Sequence, residues 1–230
     1  MPEEFTRAFW EERYSGHGTR HDRRPNPQLV TEAGDLAPGT ALDAGCGEGA
    51  DAIWLASRGW RVTAVDIAAA ALRHGQACAE ALGADVAGRI DFQVADLTDW
   101  TPPEDHFDLV STHYVHPAAS RQALFRRLAA SVAPGGTLLV VGHHPSDPHA
   151  AASHDCAPQV HFTADEVAAD LDPDRWDIRV AEARTRTVTF PGGREVTMRD
   201  AVLRALRSCP VGLVGSARRS GPGEDRPDRA

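Results

Sequence analysis

Short apolar runs alternate with longer amphipathic stretches along the chain from Thr40 onward. The short runs are typical of buried strands, and the longer stretches have the apolar spacing of helices. The predicted strands cover residues 41–43, 61–65, 90–94, 107–110 and 137–141, and the predicted helices cover residues 50–57, 68–82 and 121–132. Because each right-handed crossover helix must pack back onto the sheet, this order predicts a doubly wound α/β fold with helices on both faces of a parallel sheet.

Two flanking segments have a different pattern. Residues 1–36 combine an amphipathic stretch that contains Phe5, Phe9 and Trp10 with a polar stretch before Pro27, which predicts an N-terminal helical flap or lid. Residues 208–230 are rich in Gly, Pro, Arg and Asp and offer little to bury, which predicts a disordered tail. We expect residues 37–207 to form one ligand-binding domain.

The composition excludes several classes of function. In 230 residues, 42% of them hydrophobic, no apolar run approaches the roughly 18 residues of a membrane span, so none is expected. The N-terminus lacks the pattern of a secretory signal, and we expect a cytoplasmic location. A net charge of −9 argues against a nucleic-acid partner and favours a small neutral or cationic substrate. Four scattered cysteines without a CxxC pair predict neither a disulfide framework nor a zinc site.

The loop after the first predicted strand contains three glycines, Gly45, Gly47 and Gly49. Glycines let the backbone turn sharply and let a ligand approach closely, because no Cβ is present. With Ala50, this spacing also satisfies the looser dinucleotide-binding pattern, so spacing alone leaves the ligand open. Asp43 favours a ligand with an ammonium group, since its carboxylate would repel a pyrophosphate.

Two further carboxylates follow the next predicted strands. Asp66 stands 21 positions after Gly45, where a carboxylate can accept hydrogen bonds from ribose hydroxyls. Asp96 follows the third strand and can accept a hydrogen bond from an adenine amine, while Ile67 and Leu97 pack against the ring. The alternative is that each aspartate only caps the following helix. Three acidic strand ends beside one glycine loop favour nucleoside binding over capping.

These motifs, with the Phe-Asp-Leu-Val strand at 107–110 and the Ala-Pro-Gly-Gly segment at 133–136, resemble the class I S-adenosylmethionine (SAM)-dependent methyltransferases. The resemblance implies a Rossmann-like, mostly parallel seven-stranded sheet with an antiparallel last strand. It also implies SAM as cofactor, with S-adenosylhomocysteine as its product; the glycine loop holds the methionine end, and the second and third acidic positions hold ribose and adenine. The residues that this implies for cofactor binding are Asp43, Gly45, Cys46, Gly47, Asp66, Ile67, Asp96, Leu97 and Thr112.

Two later segments are candidates for the closing strands that this family adds. They cover residues 176–180 and 198–204, and the second also has the propensity of a helix. Residues 9–14 and 190–194 are similar to the opening and the closing hairpin of small tellurite- and thiopurine-type methyltransferases. That likeness implies a small bacterial enzyme that acts on a small molecule.

Histidines follow the fourth and fifth predicted strands, where the fold brings an acceptor beside the methyl donor. His113 and His116 are the candidates for orienting or deprotonating the acceptor, and His143 and Tyr14 are further candidates for contact with it. The alternative is a structural role at strand ends. We expect no metal, because His-x-x-His on an irregular segment is not a recognised zinc spacing. Tyr14, one helical turn after Trp10, is predicted either to cover the site or to dock its helix on the core.

The function expected is SAM-dependent methyl transfer to a small-molecule acceptor by in-line displacement. Positioning and desolvation can supply much of the acceleration, so a base is needed only for an acceptor that must lose a proton. Two alternatives stay open. One is an NAD(P)-dependent oxidoreductase, which shares the fold and a tolerable glycine pattern, and the other is a SAM-binding module without catalysis.

Overall fold

Seven strands and seven helices build the part of the chain that the structure describes. The structure is a computed structural model, and it describes residues 5–15, 24–117, 120–147, 161–189 and 193–209. The strands are β1 (Thr40–Ala44), β2 (Arg61–Asp66), β3 (Ile90–Val94), β4 (Phe107–His113), β5 (Val132–His143), β6 (Trp176–Thr189) and β7 (Glu195–Arg207). The helices are α1 (Arg7–Ser15), α2 (Pro27–Ala33), α3 (Ala50–Ser57), α4 (Ala69–Leu82), α5 (Ala84–Ala87), α6 (Arg121–Ser131) and α7 (Ala164–Ala169). None of these helices is long and apolar enough to cross a membrane.

All seven strands form one sheet in the order β3-β2-β1-β4-β5-β7-β6. The pairs among the first five strands are parallel, whereas β7 runs antiparallel to both of its neighbours, β5 and β6. This confirms the predicted doubly wound, mostly parallel sheet and its antiparallel last strand. The strand order reverses between β1 and β4, so the crevice beyond their carboxyl ends is the place where such sheets bind ligands.

Two apolar clusters cover the two faces of the sheet. Along β1, Leu42 and Ala44 belong to one cluster together with Leu128 of α6, and Ala41 belongs to the other together with Leu29 of α2. This division follows the period of two along a strand, because neighbouring side chains point to opposite faces. Apolar side chains therefore fill the middle of the sheet, and the residues predicted for function lie at its carboxyl edge.

Helix α2 lies within the segment predicted as a flap, yet it packs into the core. Asn26 caps it, because the side-chain oxygen accepts a hydrogen bond from Gln28 N at 2.9 Å, and Pro27 occupies the first position. Leu29 and Ala33 are buried in the second apolar cluster. Within the described part of residues 1–36, α1 is thus the helix that covers the rim of the sheet.

Residues 198–204 form part of strand β7 and not a helix. It pairs with β5 on one side and with β6 on the other, and Ala201, Val202 and Leu203 are 0% exposed. A strand that is buried on both faces is a continuous apolar run, which periodicity alone cannot separate from a buried helix. The two neighbouring strands, rather than the local sequence, determine the structure of this segment.

Strand β5 begins at Val132 and includes residues 134–136, whereas the predicted strand begins at residue 137. These residues belong to the irregular start of the strand, where the register with β4 shifts between Phe107 and Leu109. Gly135 supplies the positive φ, 81°, that this irregularity uses. Apart from Ser208 and Cys209, the tail predicted to be disordered lies outside the described residues.

Candidate functional site

The loop between β1 and α3 turns on three glycines in the left-handed region of backbone space. Gly45, Gly47 and Gly49 have φ angles of 79°, 54° and 74°, a conformation that costs other residues roughly 1–2 kcal/mol each. Gly45 N donates a hydrogen bond to Val65 O at 2.8 Å, which holds the loop against β2. A Cβ at Gly45 would lie 2.2 Å from Val115 Cγ2. Backbone conformation and close packing therefore both require glycine here.

Asp66, at the end of β2, ties this loop to helix α4. Its Oδ2 accepts a hydrogen bond from Gly47 N at 2.8 Å, and its Oδ1 accepts one from Ala68 N at 2.9 Å. Burial raises the pKa of Asp66, although these N–H groups oppose the shift. A carboxylate offers about four lone-pair positions. Asp66 thus fixes the turn before α4 and still has acceptor capacity for a ligand hydroxyl.

Asp96 and Leu97 follow β3 beside the glycine loop. Asp96 is half-buried, and its Oδ1 accepts a hydrogen bond from Thr98 N at 2.8 Å, which fixes the turn after the strand. Leu97 is buried, and its Cδ1 lies 3.8 Å from the position of a Cβ on Gly45. The carboxyl ends of β1, β2 and β3 therefore bring three carboxylates, Asp43, Asp66 and Asp96, around one loop. We call this region the donor side.

Asp43 is the most deeply buried of these three carboxylates, with 2% of the residue exposed. Its Oδ2 has no hydrogen-bond partner among the described residues. Burial raises the pKa of Asp43, the nearby Asp51 carboxylate raises it further, and His113 opposes both effects. Buried polar atoms in folded proteins nearly always have a partner, so Asp43 is a strong candidate to hold a hydrogen-bond donor or a cation.

His113, at the end of β4, pairs with Asp51 of α3. The two side chains are largely buried, and His113 Nδ1 lies 2.6 Å from Asp51 Oδ2. Asp51 Oδ1 accepts a second hydrogen bond from Asn26 N at 2.6 Å, which connects the pair to the start of α2. Burial opposes protonation of His113, but Asp51 and Asp43 outweigh it and raise the pKa. His113 is thus joined to the carboxylates of the donor side.

The remaining residues predicted to bind the cofactor are Cys46, Ile67 and Thr112. Cys46 is half-buried in the glycine loop, and burial together with Asp43 and Asp66 raises the pKa of its thiol, which is therefore protonated at neutral pH. Ile67 is half-buried immediately after β2. Thr112 is buried on β4, and its Oγ1 has no partner within the described ranges.

Helix α1 lies across the start of α4 and caps it. The two carboxylate oxygens of Glu11 accept hydrogen bonds from Ala69 N at 2.7 Å and from Ala70 N at 3.1 Å. Ala68, at the N-cap position, has no side chain that could do this. Glu11 is not among the residues predicted from the sequence. The signal that could have revealed it is a 14-residue helix that begins without a Ser, Thr, Asp or Asn cap.

Tyr14, on the same helix, lies above the glycine loop. Its Oη is 3.0 Å from the position that a Cβ would take on Gly47. The ring of Trp10 stacks on Tyr14 with the centroids 6.2 Å apart. Burial raises the pKa of Tyr14, and the negative charge of Asp66 adds to the shift. The phenol is therefore a neutral hydrogen-bonding group directly over the loop.

Three histidines meet beyond β4 and β5, and we call His116, His143 and His161 the imidazole cluster. The ring centroid of His143 lies 6.0 Å from those of both His116 and His161. Nδ1 of His116 and Nε2 of His161 are buried and have no partner in the part of the chain that is described. Burial lowers the pKa of His116 to about 4, and it also lowers that of His143. Both imidazoles are therefore neutral at physiological pH.

Aromatic rings surround the imidazole cluster, and we call this region the acceptor side. The Phe5 ring stacks on His116 with centroids 5.0 Å apart and 8° between the planes, and Trp10 lies 6.1 Å away. Tyr114 packs on His143 at 4.8 Å. In the described ranges, no group of three or more His, Cys, Asp or Glu side chains is arranged to hold a metal ion. Stacking and hydrogen bonding are therefore the interactions that this side offers.

Comparison with known proteins finds a methyltransferase domain in the chain. Residues 41–136, which run from β1 to the start of β5, match the family model described as a methyltransferase domain. Over this segment the chain is similar to the SAM-dependent methyltransferases. It is 29% identical over 123 residues to 2-heptyl-1-hydroxyquinolin-4(1H)-one methyltransferase from Mycobacteroides abscessus, and the match covers 51% of this chain and 52% of that protein.

Several solved structures share the fold of this chain. One of them comes from a study described as the conversion of a disulfide bond into a thioacetal group during echinomycin biosynthesis. It has a TM-score of 0.66 at 23% identity, and the match covers 87% of this chain and 89% of that chain. TehB from Haemophilus influenzae has a TM-score of 0.63 at 17% identity over 88% of this chain and 66% of its own. The curated relatives are matched over about a third to a half of their own length.

Proposed function

We propose that this chain is a methyltransferase that binds SAM on the donor side and transfers the methyl group to a small molecule on the acceptor side. The observation that carries the proposal is the arrangement of Asp43, Asp66 and Asp96 around the glycine loop. The family supports the donor. The quinolone named for the relative from Mycobacteroides abscessus supports a small-molecule acceptor.

The residues of the donor side fit SAM. An ammonium group would satisfy the buried Oδ2 of Asp43, which has no partner among the described residues. The spare acceptor capacity of Asp66 suits two neighbouring ribose hydroxyls, and Asp96 suits an exocyclic amine. A pyrophosphate would instead bring further negative charge beside two buried carboxylates, which is unfavourable at low dielectric.

Helix α1 is proposed as the cover of this site. Glu11 fixes it to the start of α4 by two hydrogen bonds, and Tyr14 lies over the glycine loop. Bound SAM supplies a methyl group on a sulfonium, whose sulfur is a good leaving group. The work left to the chain is to align the acceptor and to exclude water, and a docked aromatic helix does both.

The acceptor side is proposed to orient the acceptor and to take its proton. His116 is neutral at physiological pH, so it can accept a hydrogen bond from a hydroxyl or an N–H group of the acceptor. His143 lies 6.0 Å from His116 and is proposed as a second contact. His113, in contrast, is bonded to Asp51 and is proposed to order the donor side. An acceptor without an exchangeable proton would need only the aromatic surface.

Calorimetric titration of the purified chain with SAM, S-adenosylhomocysteine and NADH, each in a separate experiment, tests the donor. The expected result is binding of both adenosyl compounds and no binding of NADH. Binding of NADH alone would overturn the proposal in favour of an oxidoreductase.

A transfer assay with SAM that carries a labelled methyl group tests catalysis. Label is expected in a small-molecule acceptor, since a net charge of −9 disfavours a nucleic-acid acceptor. Label recovered in RNA, or binding of SAM without transfer to any acceptor of a broad panel, would contradict this part of the proposal. The second result would favour a SAM-binding module without catalysis.

A further inference from the structure

We infer that the donor side releases a proton when the cofactor binds, because Asp43 is a neutral carboxylic acid before binding and a carboxylate once an ammonium group lies beside it. The inference rests on the proposed function, since it concerns the ammonium group of the proposed cofactor. Three features of the donor side carry it: the hydrogen-bond donors available to Asp43, the charges around it, and the depth at which it is buried.

The first feature is the supply of hydrogen-bond donors to the carboxyl groups at this edge of the sheet. Both oxygens of Asp66 accept hydrogen bonds from backbone N–H groups, and both oxygens of Asp51 have a partner as well. Asp43 differs, because it accepts a hydrogen bond from Ala52 N but its Oδ2 has no partner among the described residues. A buried carboxylate that lacks donors is less stable than the neutral acid. The hydrogen bonding therefore favours the neutral form of Asp43.

The second feature is the charge that surrounds Asp43. The groups that act on it are the carboxylates of Asp51, on α3, and Asp66, on β2, and the imidazole of His113, on β4. His113 lies 2.6 Å from Asp51, so these two groups already compensate each other. The thiol of Cys46, a further titratable neighbour, is protonated at neutral pH. An ionised Asp43 would thus add a third negative charge to a group in which His113 supplies the positive one.

The third feature is the depth of burial. Asp43 is 2% exposed, and burial is the largest cause that raises its pKa to about 8, far above the ordinary value of about 3.9. The two neighbouring carboxylates add to this shift, while His113 and a backbone N–H group oppose it. At neutral pH the carboxyl group of Asp43 therefore holds its proton, in agreement with the donors and the charges around it.

An ammonium group reverses this balance. Beside Asp43, directly or across a bridging water, it supplies both the N–H donor that Oδ2 lacks and a positive charge. The carboxyl group then ionises: its O–H bond breaks, the electron pair stays on oxygen, and the proton passes to solvent. The carboxylate and the ammonium group together carry no net charge, so the site binds a cation without the cost of a buried unpaired carboxylate.

The pH dependence of binding follows from this exchange. Below the pKa of about 8, the free protein holds a proton that the complex has lost, so a rise in pH favours binding. Release of about one proton per ligand corresponds to roughly a tenfold gain in affinity for each unit of pH. The range from pH 6 to pH 7 lies below the ordinary pKa of an α-amino group, so the ligand keeps its own charge there.

Calorimetric titration of the full chain in buffers of different ionisation enthalpy counts the protons released. The two ligands are S-adenosylhomocysteine and 5′-methylthioadenosine, which keeps the adenine, the ribose and a thioether but lacks the ammonium and carboxylate groups. At pH 6.5 we expect about one proton released per S-adenosylhomocysteine and almost none per 5′-methylthioadenosine. Because both ligands carry the same nucleoside, contributions from Asp66 and Asp96 cancel in the comparison. Equal proton release for the two ligands, or none for S-adenosylhomocysteine, would overturn the inference.

The affinities of the same two ligands at pH 6 and pH 7 give a second measurement. S-adenosylhomocysteine should bind about tenfold more tightly at pH 7, whereas the affinity for 5′-methylthioadenosine should change by less than about twofold. The same pH dependence for both ligands would place the titrating group beside the nucleoside and would contradict the assignment to Asp43.

Asp43→Asn localises the proton. The amide keeps an oxygen for Ala52 N but cannot ionise, so S-adenosylhomocysteine should bind about tenfold more weakly and without proton release. The matched control is Asp99→Asn, because Asp99 is exposed in the turn after β3, and this variant should release as many protons as the wild type. Proton release that persists in Asp43→Asn would contradict the assignment. Thermal melting of both variants checks the fold, and the comparison of the two ligands on the unchanged chain depends on neither variant.

The inference and the proposed function fail in different ways. If S-adenosylhomocysteine binds without releasing a proton, this inference fails and the proposed function stands. If neither S-adenosylhomocysteine nor 5′-methylthioadenosine binds, the proposed function fails, and this inference fails with it.

Discussion

The donor side of the sheet edge is built from carboxylates, whereas the acceptor side is built from imidazoles and aromatic rings. Oxygens of Asp66 and Asp96 accept hydrogen bonds from backbone N–H groups after β2 and β3. The imidazole cluster is surrounded by Phe5, Trp10 and Tyr114. Both sides are largely buried at the same edge of one sheet. The difference shows two ways to bury a titratable group: supply N–H partners to the charge, or remove the charge.

This difference matches the proposed division of labour. A sulfonium donor is a cation, and the side with the carboxylates is where a cation is favoured. An acceptor must approach without its hydration shell, and the aromatic side is where a neutral ring is favoured. Helix α1 and Phe5, which lies just before it, together span both sides, since Glu11 and Tyr14 contact the donor side while Phe5 and Trp10 contact the acceptor side.

The largest effect is expected on the donor side. Asp66→Ala removes the carboxylate proposed for the ribose, and calorimetry should show S-adenosylhomocysteine binding weakened by a hundredfold or more, which is about 3 kcal/mol for two hydrogen bonds to a charged group. Asp99→Ala is the matched control, because Asp99 is exposed in the turn after β3. Because Asp66 also bonds to Gly47 N and Ala68 N, a lower melting temperature is expected as well. Unchanged affinity would remove the ribose assignment.

On the acceptor side, the expected effect is a dependence of stability on pH. Burial lowers the pKa of His116 to about 4, and positive charge on the neighbouring Arg13, His143 and His161 side chains acts in the same direction. Between that value and the ordinary pKa of about 6.5, the unfolded chain binds a proton that the folded chain does not. The free energy of unfolding should therefore fall as the pH falls from 6.5 to 4.

His116→Phe isolates this contribution. Urea unfolding gives the free energy of unfolding of each protein at pH 7 and at pH 4.5. The decrease between these two pH values should be larger in the wild type than in the variant by about 2 kcal/mol, after allowance for partial solvent screening. The titration of groups remote from His116 is common to both proteins and cancels in the difference. If the two proteins lose the same stability, His116 is not buried in its neutral form.

A smaller effect is expected where α1 joins the two sides. Glu11→Ala removes both hydrogen bonds to the start of α4, and stopped-flow measurement should show S-adenosylhomocysteine released about tenfold faster, since two capping hydrogen bonds contribute about 1.4 kcal/mol. The control is Glu12→Ala, on the exposed face of the same helix. A lower melting temperature with an unchanged release rate would make Glu11 a helix cap without a role in closure.

The smallest effect is expected at the adenine position. Asp96→Asn keeps an oxygen for Thr98 N and therefore keeps the turn, but it weakens the acceptor proposed for the adenine amine. Calorimetry should show S-adenosylhomocysteine binding weakened threefold to tenfold, which is about 1 kcal/mol for one hydrogen bond. The variant's affinity for S-inosylhomocysteine, which lacks that amine, should fall by less. Equal losses for the two ligands would show that Asp96 does not contact the amine.

The sequence by itself determined the order of strands and helices, the glycine loop and the carboxylates at three strand ends. These features are local, because the period of the apolar residues and the backbone freedom of glycine act within a few residues. The positions of Asp43, Asp66 and Asp96 at one edge then follow from the topology of parallel strands. In this respect the placement of the three carboxylates was predictable before any contact was known.

Only the tertiary structure decided which of these residues meet. Glu11 caps a helix 58 positions away, His113 pairs with Asp51 62 positions away, and Phe5 stacks on His116. Residues 198–204 form a strand because β5 and β6 lie on either side. Such contacts depend on packing between distant segments, and periodicity along the chain has no information about the partner. The hydrophobic pattern thus determines the order of strands and helices in this protein, while long-range packing determines the charge and the shape of its site.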